Sequence, residues 1–122
     1  MHTTHLSRSR RLFLPALLGA SLALSGCGGH DTVQRTISAV EVNGVAGFSP
    51  TPITVDKDDN VVLTVANTTA KVHGFTIEGY GIQKLVNPGP GIQVKFKSTK
   101  PGTFKIYCQL HPTHQIATLV VQ

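Results

Sequence analysis

An all-β fold, a sandwich or barrel of about six to eight short strands, is what this 122-residue sequence predicts. Three observations carry the expectation. Ile92, Val94 and Phe96 alternate with Gln93, Lys95 and Lys97, the period of two that a strand with one buried face requires. Turn signals cut the chain at short intervals: Pro50 and Pro52, the polar run Asp56 to Asn60, and Lys100-Pro101-Gly102-Thr103. No amphipathic helix of useful length interrupts this pattern after residue 35.

The N-terminus reads as targeting sequence rather than fold. Arg8, Arg10 and Arg11 form a positive region ahead of the apolar run Leu12 to Leu24, which ends in small residues. That is a secretory signal pattern and predicts removal of residues 1–26. Leu24-Ser25-Gly26-Cys27 is similar to a bacterial lipobox, so Cys27 is the expected lipidated N-terminus and membrane anchor. Ser9-Arg10-Arg11-Leu12-Phe13-Leu14 resembles a twin-arginine motif and adds that export route beside the general one. Gly28 stands where retention in an inner membrane would favour aspartate, which points to a periplasm-facing outer-membrane lipoprotein. Residues 27–35 are then a polar, Gly-rich tether, and 36–122 one small domain.

Charge excludes some functions. The whole chain carries +5, but removing Arg8, Arg10 and Arg11 leaves eight basic residues against six acidic. Without a basic helix or a basic–aromatic platform, no nucleic-acid binding is expected. Lys84, Lys95, Lys97, Lys100 and Lys105 read as solvated strand faces and turns.

The strands follow in order. Ile37 to Val42 is the first and Ile53 to Val55 a short second between prolines and the polar turn. Val61 to Asn67 alternates Val61, Leu63 and Val65 with Val62, Thr64 and Ala66. Val72 to Ile77 comes next, then Ile92 to Lys97, then Phe104, Ile106 and Cys108 sharing one face, and Ala117 to Val121 last. Gly79 to Gly91 reads as one irregular connection with a helical turn around Ile82 to Leu85.

Cys108-Gln109-Leu110-His111-Pro112-Thr113-His114 concentrates the chemistry, with His73 upstream. With Cys27 acylated, Cys108 has no disulfide partner, and an unpaired cysteine in an oxidising compartment is a hazard unless buried or metal-bound. Thiolate plus imidazole is a copper or zinc donor set, and a trigonal His₂Cys site with a weak axial donor is the blue-copper pattern. Pro112 stiffens the loop directly after His111.

From about Asn43 onward the domain resembles a cupredoxin. Leu63-Thr64-Val65-Ala66-Asn67 followed by His73 is similar to that family's strand, Asn-containing loop and first histidine ligand. Cys108 to His114 resembles the short Cys-x-x-His-Pro-x-Met loop of amicyanin-like members. The resemblance implies a Greek-key β-sandwich, one copper ion per domain, and ligation by His73, Cys108 and His111. The family's usual axial methionine is missing, since the sole methionine is Met1. By loop length His114 takes its place, with Gln115 as an alternative axial donor. Imidazole is a stronger donor than thioether and would favour Cu(II), and protonation near a pKa of about 6.5 would release it. His73-Gly74-Phe75-Thr76-Ile77 through Gly81-Ile82 is also similar to the copper domain of cytochrome oxidase subunit II and nitrous-oxide reductase. Their binuclear centre needs two cysteines in the loop, where this chain has Cys108 alone, so a mononuclear site is expected.

These readings imply a monomeric, lipid-anchored one-electron carrier meeting a redox protein partner in the envelope. Leu110, Pro112, Ile82 and Val86 are the expected docking face. A copper storage or delivery protein is the alternative, and catalysis is not expected because a site with four protein ligands has no open position. Zinc fits the same donors.

Overall fold

The computed structural model describes residues 30–122, so the expected signal peptide, the Cys27 lipidation site and the first three residues of the expected tether lie outside the described residues. Nine strands form among those described: β1 (Thr32–Val42), β2 (Val45–Ser49), β3 (Ile53–Val55), β4 (Asn60–Asn67), β5 (His73–Ile77), β6 (Ile82–Val86), β7 (Gly89–Lys97), β8 (Gly102–Tyr107) and β9 (Ala117–Val121). They make a sandwich of two sheets, one ordered β2-β1-β4-β7 and the other β3-β9-β8-β5-β6. The pairs β1/β4 and β3/β9 are parallel and the rest antiparallel.

Three local expectations differ from the structure. β1 begins at Thr32, inside the segment read as tether, because Thr32 to Ala39 pair in parallel with Asn60 to Asn67 and gain a ladder the local sequence does not reveal. Gly79 to Gly91 holds a strand instead of a helical turn: β6 adds to the edge of β5 with Ile82 and Val86 buried and the three residues between them exposed. β2 hides behind its central Gly47, yet Ala46, Gly47 and Phe48 are all buried against β1.

The inner faces supply the core. Ile37, Leu63, Val65, Phe75, Ile106 and Leu119 are fully enclosed between the sheets, and each buried side chain of this size contributes about 1.5–3 kcal/mol. The alternation in β4 is borne out, with Val61, Leu63 and Val65 inward and their neighbours half-buried. Phe48 of one sheet meets Phe75 of the other edge to face at 5.5 Å. At the bulge between Val65 and Asn67, Gly91 adopts φ +92°, and a Cβ there would overlap the Val65 carbonyl, so this crossing requires glycine.

Candidate metal centre

One strand start, His73, and three residues of one loop, Cys108, His111 and His114, bring the candidate donors together. Asn67 is the anchor for His73. Its buried side chain donates to the carbonyls of Lys71 (2.7 Å) and Val86 (2.9 Å), while its Oδ1 accepts from the Thr69 amide (2.9 Å) and hydroxyl (2.8 Å). This closes residues 67–71 into a fixed turn and delivers His73 to the start of β5, 5% exposed. In the sequence Asn67 stands out through the resemblance of the Asn-containing loop before His73, but its hydrogen-bond partners are not legible there.

Cys108 follows β8 on its inward face and is 1% exposed. The chain then folds back in two steps, the His111 amide donating to the Cys108 carbonyl (3.3 Å) and the His114 amide to the His111 carbonyl (3.2 Å). The Gln115 amide pins the loop's end to the Ala46 carbonyl of β2 (2.9 Å).

Donor atoms of His73, Cys108 and His114 all lie within 4.8 Å of one another. His111 is exposed and approaches from the side, its Nδ1 3.7 Å from Cys108 Sγ and its ring stacked on His114 at 4.6 Å, but 6.5 Å from the His73 ring. The compact trio therefore includes the histidine at the methionine position, and His111 forms its outer edge. Gln115 is exposed with its side chain along Gly47, outside this cluster. Glu78 borders a neighbouring cleft of about 270 Å³ with Lys105, Tyr107 and Pro112, and is likewise not in the cluster. On the other side a cleft of about 540 Å³ opens over His73 and His114, with Glu41, Lys71 and Thr113 among its walls.

The electrostatics favour neutral imidazoles. Burial lowers the pKa of His73 below its ordinary value, helped by the positive charge His114 and His111 would carry, while Glu41 opposes. His114 is lowered for the same first reason, then by His111. Neutral imidazole is the ligating form. A metal fits here on two further grounds. Cys108 Sγ accepts a hydrogen bond from the Gly74 amide at 3.2 Å, the environment of a thiolate. His114 Nδ1 is buried with no hydrogen-bond partner, and a buried imidazole nitrogen left without one calls for an ion.

The profile of the Cupredoxin-like domain matches residues 15–121. The chain belongs to the cupredoxin-like family. Among curated relatives, this cupredoxin is 31% identical over 80 residues to cytochrome c oxidase subunit 2 of Thermus thermophilus, covering 62% of this chain and 58% of that protein. It is 31% identical over 77 residues to nitrous-oxide reductase of Cupriavidus necator, covering 61% of this chain and 12% of that protein. The chain thus spans little more than half of the first relative and a small part of the second. The fold is shared with copper nitrite reductase from Nitrosomonas europaea (TM-score 0.62, 22% identity, 75% of this chain and 41% of that one). It is also shared with a purple cupredoxin from Nitrosopumilus maritimus (TM-score 0.54, 17% identity, 72% of this chain and 99% of that one).

The expected docking face needs correction. Ile82 and Val86 point into the core and are buried, because β6 is a strand. Leu110 and Pro112 remain exposed, and Ile116 (54% exposed) and Val72 join them beside the histidines.

Proposed function

We propose that this cupredoxin holds one copper ion and carries single electrons between redox proteins of the cell envelope. The observation that carries the reading is the convergence of one buried thiol with imidazoles, one of them bearing an unpartnered buried nitrogen. His73, Cys108 and His114 hold the ion, and His111 closes the site toward solvent. Copper bound there supplies a one-electron couple. The protein's part is to keep the donors still: Asn67 fixes the His73 turn, the Gly74 amide bonds the sulfur, and the Gln115–Ala46 bond ties down the loop. A frame that does not move between oxidation states keeps reorganisation small. Exposed Val72, Leu110 and Ile116 adjoin His73, His111 and His114 and suit brief, small contacts with a protein partner. Cys27 anchors the monomer to a membrane, facing the periplasm. The donor set equally accepts zinc, which would be colourless and silent in redox assays.

Copper storage or delivery is the second reading, favoured by the wide cleft that opens onto His73 and His114. A Cu(II) titration followed by visible absorption and EPR tests both. One equivalent is expected to give an intense thiolate-to-copper band, absent in Cys108→Ala. No such band would overturn the electron-carrier reading. A band with slow electron self-exchange and ready transfer of the ion to a chelator would favour delivery. Turnover of an added small substrate by the copper-loaded protein would instead make it an enzyme.

A further inference from the structure

The contact between β5 and β8 is unusually short. Only Thr76 pairs with Tyr107 and Ile77 with Ile106, and the ladder stops there. Continued in the same register, Gly74 would stand opposite Gln109. Two side-chain contacts occupy that place instead. Cys108 turns inward and takes the Gly74 N–H on its sulfur at 3.2 Å. Gln109 turns outward and lies across β5 onto β6: its Oε1 accepts from the Thr76 hydroxyl at 2.8 Å, and its Nε2 donates to the Lys84 carbonyl at 2.9 Å. The amide rests so closely on Gly74 that a Cβ at that position would overlap Gln109 Oε1 and Cδ.

We propose that Gln109 is a positioning residue for the metal centre: its side-chain amide replaces the missing backbone rungs between β5 and the loop after β8, and thereby holds the Gly74 N–H on Cys108 Sγ. The physical argument has three links. A backbone group freed from a ladder needs another partner, and here the Gly74 amide has the sulfur. That N–H···S bond survives only while β5 and residue 108 keep their spacing. Gln109 fixes the spacing by bonding both β5 and β6 from the residue next to the cysteine, and Gly74 is what lets the amide lie flat. Hydrogen bonding at a cysteine sulfur is a lever on the potential of a bound copper, so a residue that never touches the metal would set its redox poise.

The sulfur-tuning half of the inference rests on the copper reading; the latch itself does not. The test compares the full-length protein with Gln109→Met, which fills the same space over Gly74 but offers neither hydrogen bond. In the metal-free protein, amide exchange at Gly74 is expected to quicken about tenfold, as loss of side-chain hydrogen bonds at one spot predicts, with β9 amides unchanged. Gly74→Ala must push the Gln109 amide aside, so it should give the same acceleration, and the double variant should be no worse than either single one. In the copper-loaded protein, Gln109→Met should shift the thiolate-to-copper band and lower the reduction potential. Wild-type exchange at Gly74 in Gln109→Met, or fully additive effects in the double variant, would overturn the proposal. Should Gln109→Met fail to fold, Thr76→Val removes one of the two bonds; a smaller acceleration at Gly74 is expected, and none would overturn the latch. Loss of any copper band in the unaltered protein would remove the copper reading while leaving the exchange result to decide the latch.

Discussion

The closed end of the sandwich and its histidine end are built from similar materials and left in different states. At the closed end Ser98 is fully buried, and its hydroxyl donates to the Asp56 carbonyl (2.6 Å) and also lies 3.2 Å from the Asp59 carbonyl. The Ser98 amide donates to Asp59, the Asp58 amide to Ser98, and the Lys57 amide to Gln122. The Asp59 carboxylate accepts from the Asp56 amide at 3.0 Å. The buried polar groups of this turn find their partners within the protein. At the histidine end the loops are pinned just as firmly by Asn67 and by the Gln115–Ala46 bond, yet the side chains they present are unfinished. His114 Nδ1 has no partner, and the nearest polar contact of Cys108 to an imidazole is 3.7 Å long. One end completes itself, and the other holds its donors ready for something the polypeptide does not contain. Leaving a buried polar atom unsatisfied costs about 1–3 kcal/mol, so such an end persists only if something offsets that cost.

The largest effect should come from breaking the closed end. Ser98→Ala removes the hydroxyl that caps two carbonyls and is expected to lower stability by about 1–2 kcal/mol, read as a drop in the urea midpoint with an unchanged slope. Copper binding should not change, because Ser98 belongs to the turn with Asp56 and Asp59 and not to the donor cluster. A loss of copper affinity in this variant would show that the two ends are coupled.

The histidine end should respond with the opposite sign. His114→Phe replaces the unpartnered nitrogen with carbon in a ring of similar shape. Removing an unsatisfied buried polar atom is expected to raise the stability of the metal-free protein by about 0.5–1 kcal/mol. The same change should weaken copper binding sharply. Stability and metal affinity moving in opposite directions is the signature of a site kept for function. A destabilised metal-free His114→Phe would mean that the imidazole packs well on its own account.

How much of this was legible follows from where the information sits. The period of two in β4 and β7 is local, and so the sandwich was readable, as was the donor cluster in Cys108 to His114. The start of β1 is not legible locally because Thr32 to Thr36 are held by pairing with residues 60–64, a partner no local pattern announces. β6 escapes a local reading because an edge strand with Gln83, Lys84 and Leu85 exposed shows no alternation. At the site, loop length puts His114 at the methionine position, and the structure groups its donor atom with those of His73 and Cys108. Loop length gives no sign that His114 would sit closer to His73 than His111 does, since that depends on two consecutive turns around Pro112. Gly74 and Gln109 carry no mark at all until β5 and the loop are set side by side.

The smallest effect, and the one that separates the ends most finely, is in pH. His73 and His114 both have pKa values lowered from 6.5, burial being the first cause in each. Above that value both are neutral whether the metal-free chain is folded or not, and they contribute no slope. As pH falls below 6.5 the unfolded chain takes up protons that the folded one resists, so stability should decline until the lower folded-state values are passed, then level off. Asp58 at the closed end is also lowered, first by its hydrogen bond to Lys57, but from an ordinary value of 3.8, so its influence falls at more acid pH. The measurement is the urea midpoint of the metal-free protein from pH 8 to 5. Glu41→Gln should deepen the decline, because the Glu41 charge raises both histidines and opposes the effect of burial. His114→Phe should make it shallower. A midpoint that stays flat through this range in all three proteins would mean that the histidine end is as well solvated as it would be unfolded, and the contrast between the two ends would fall with it.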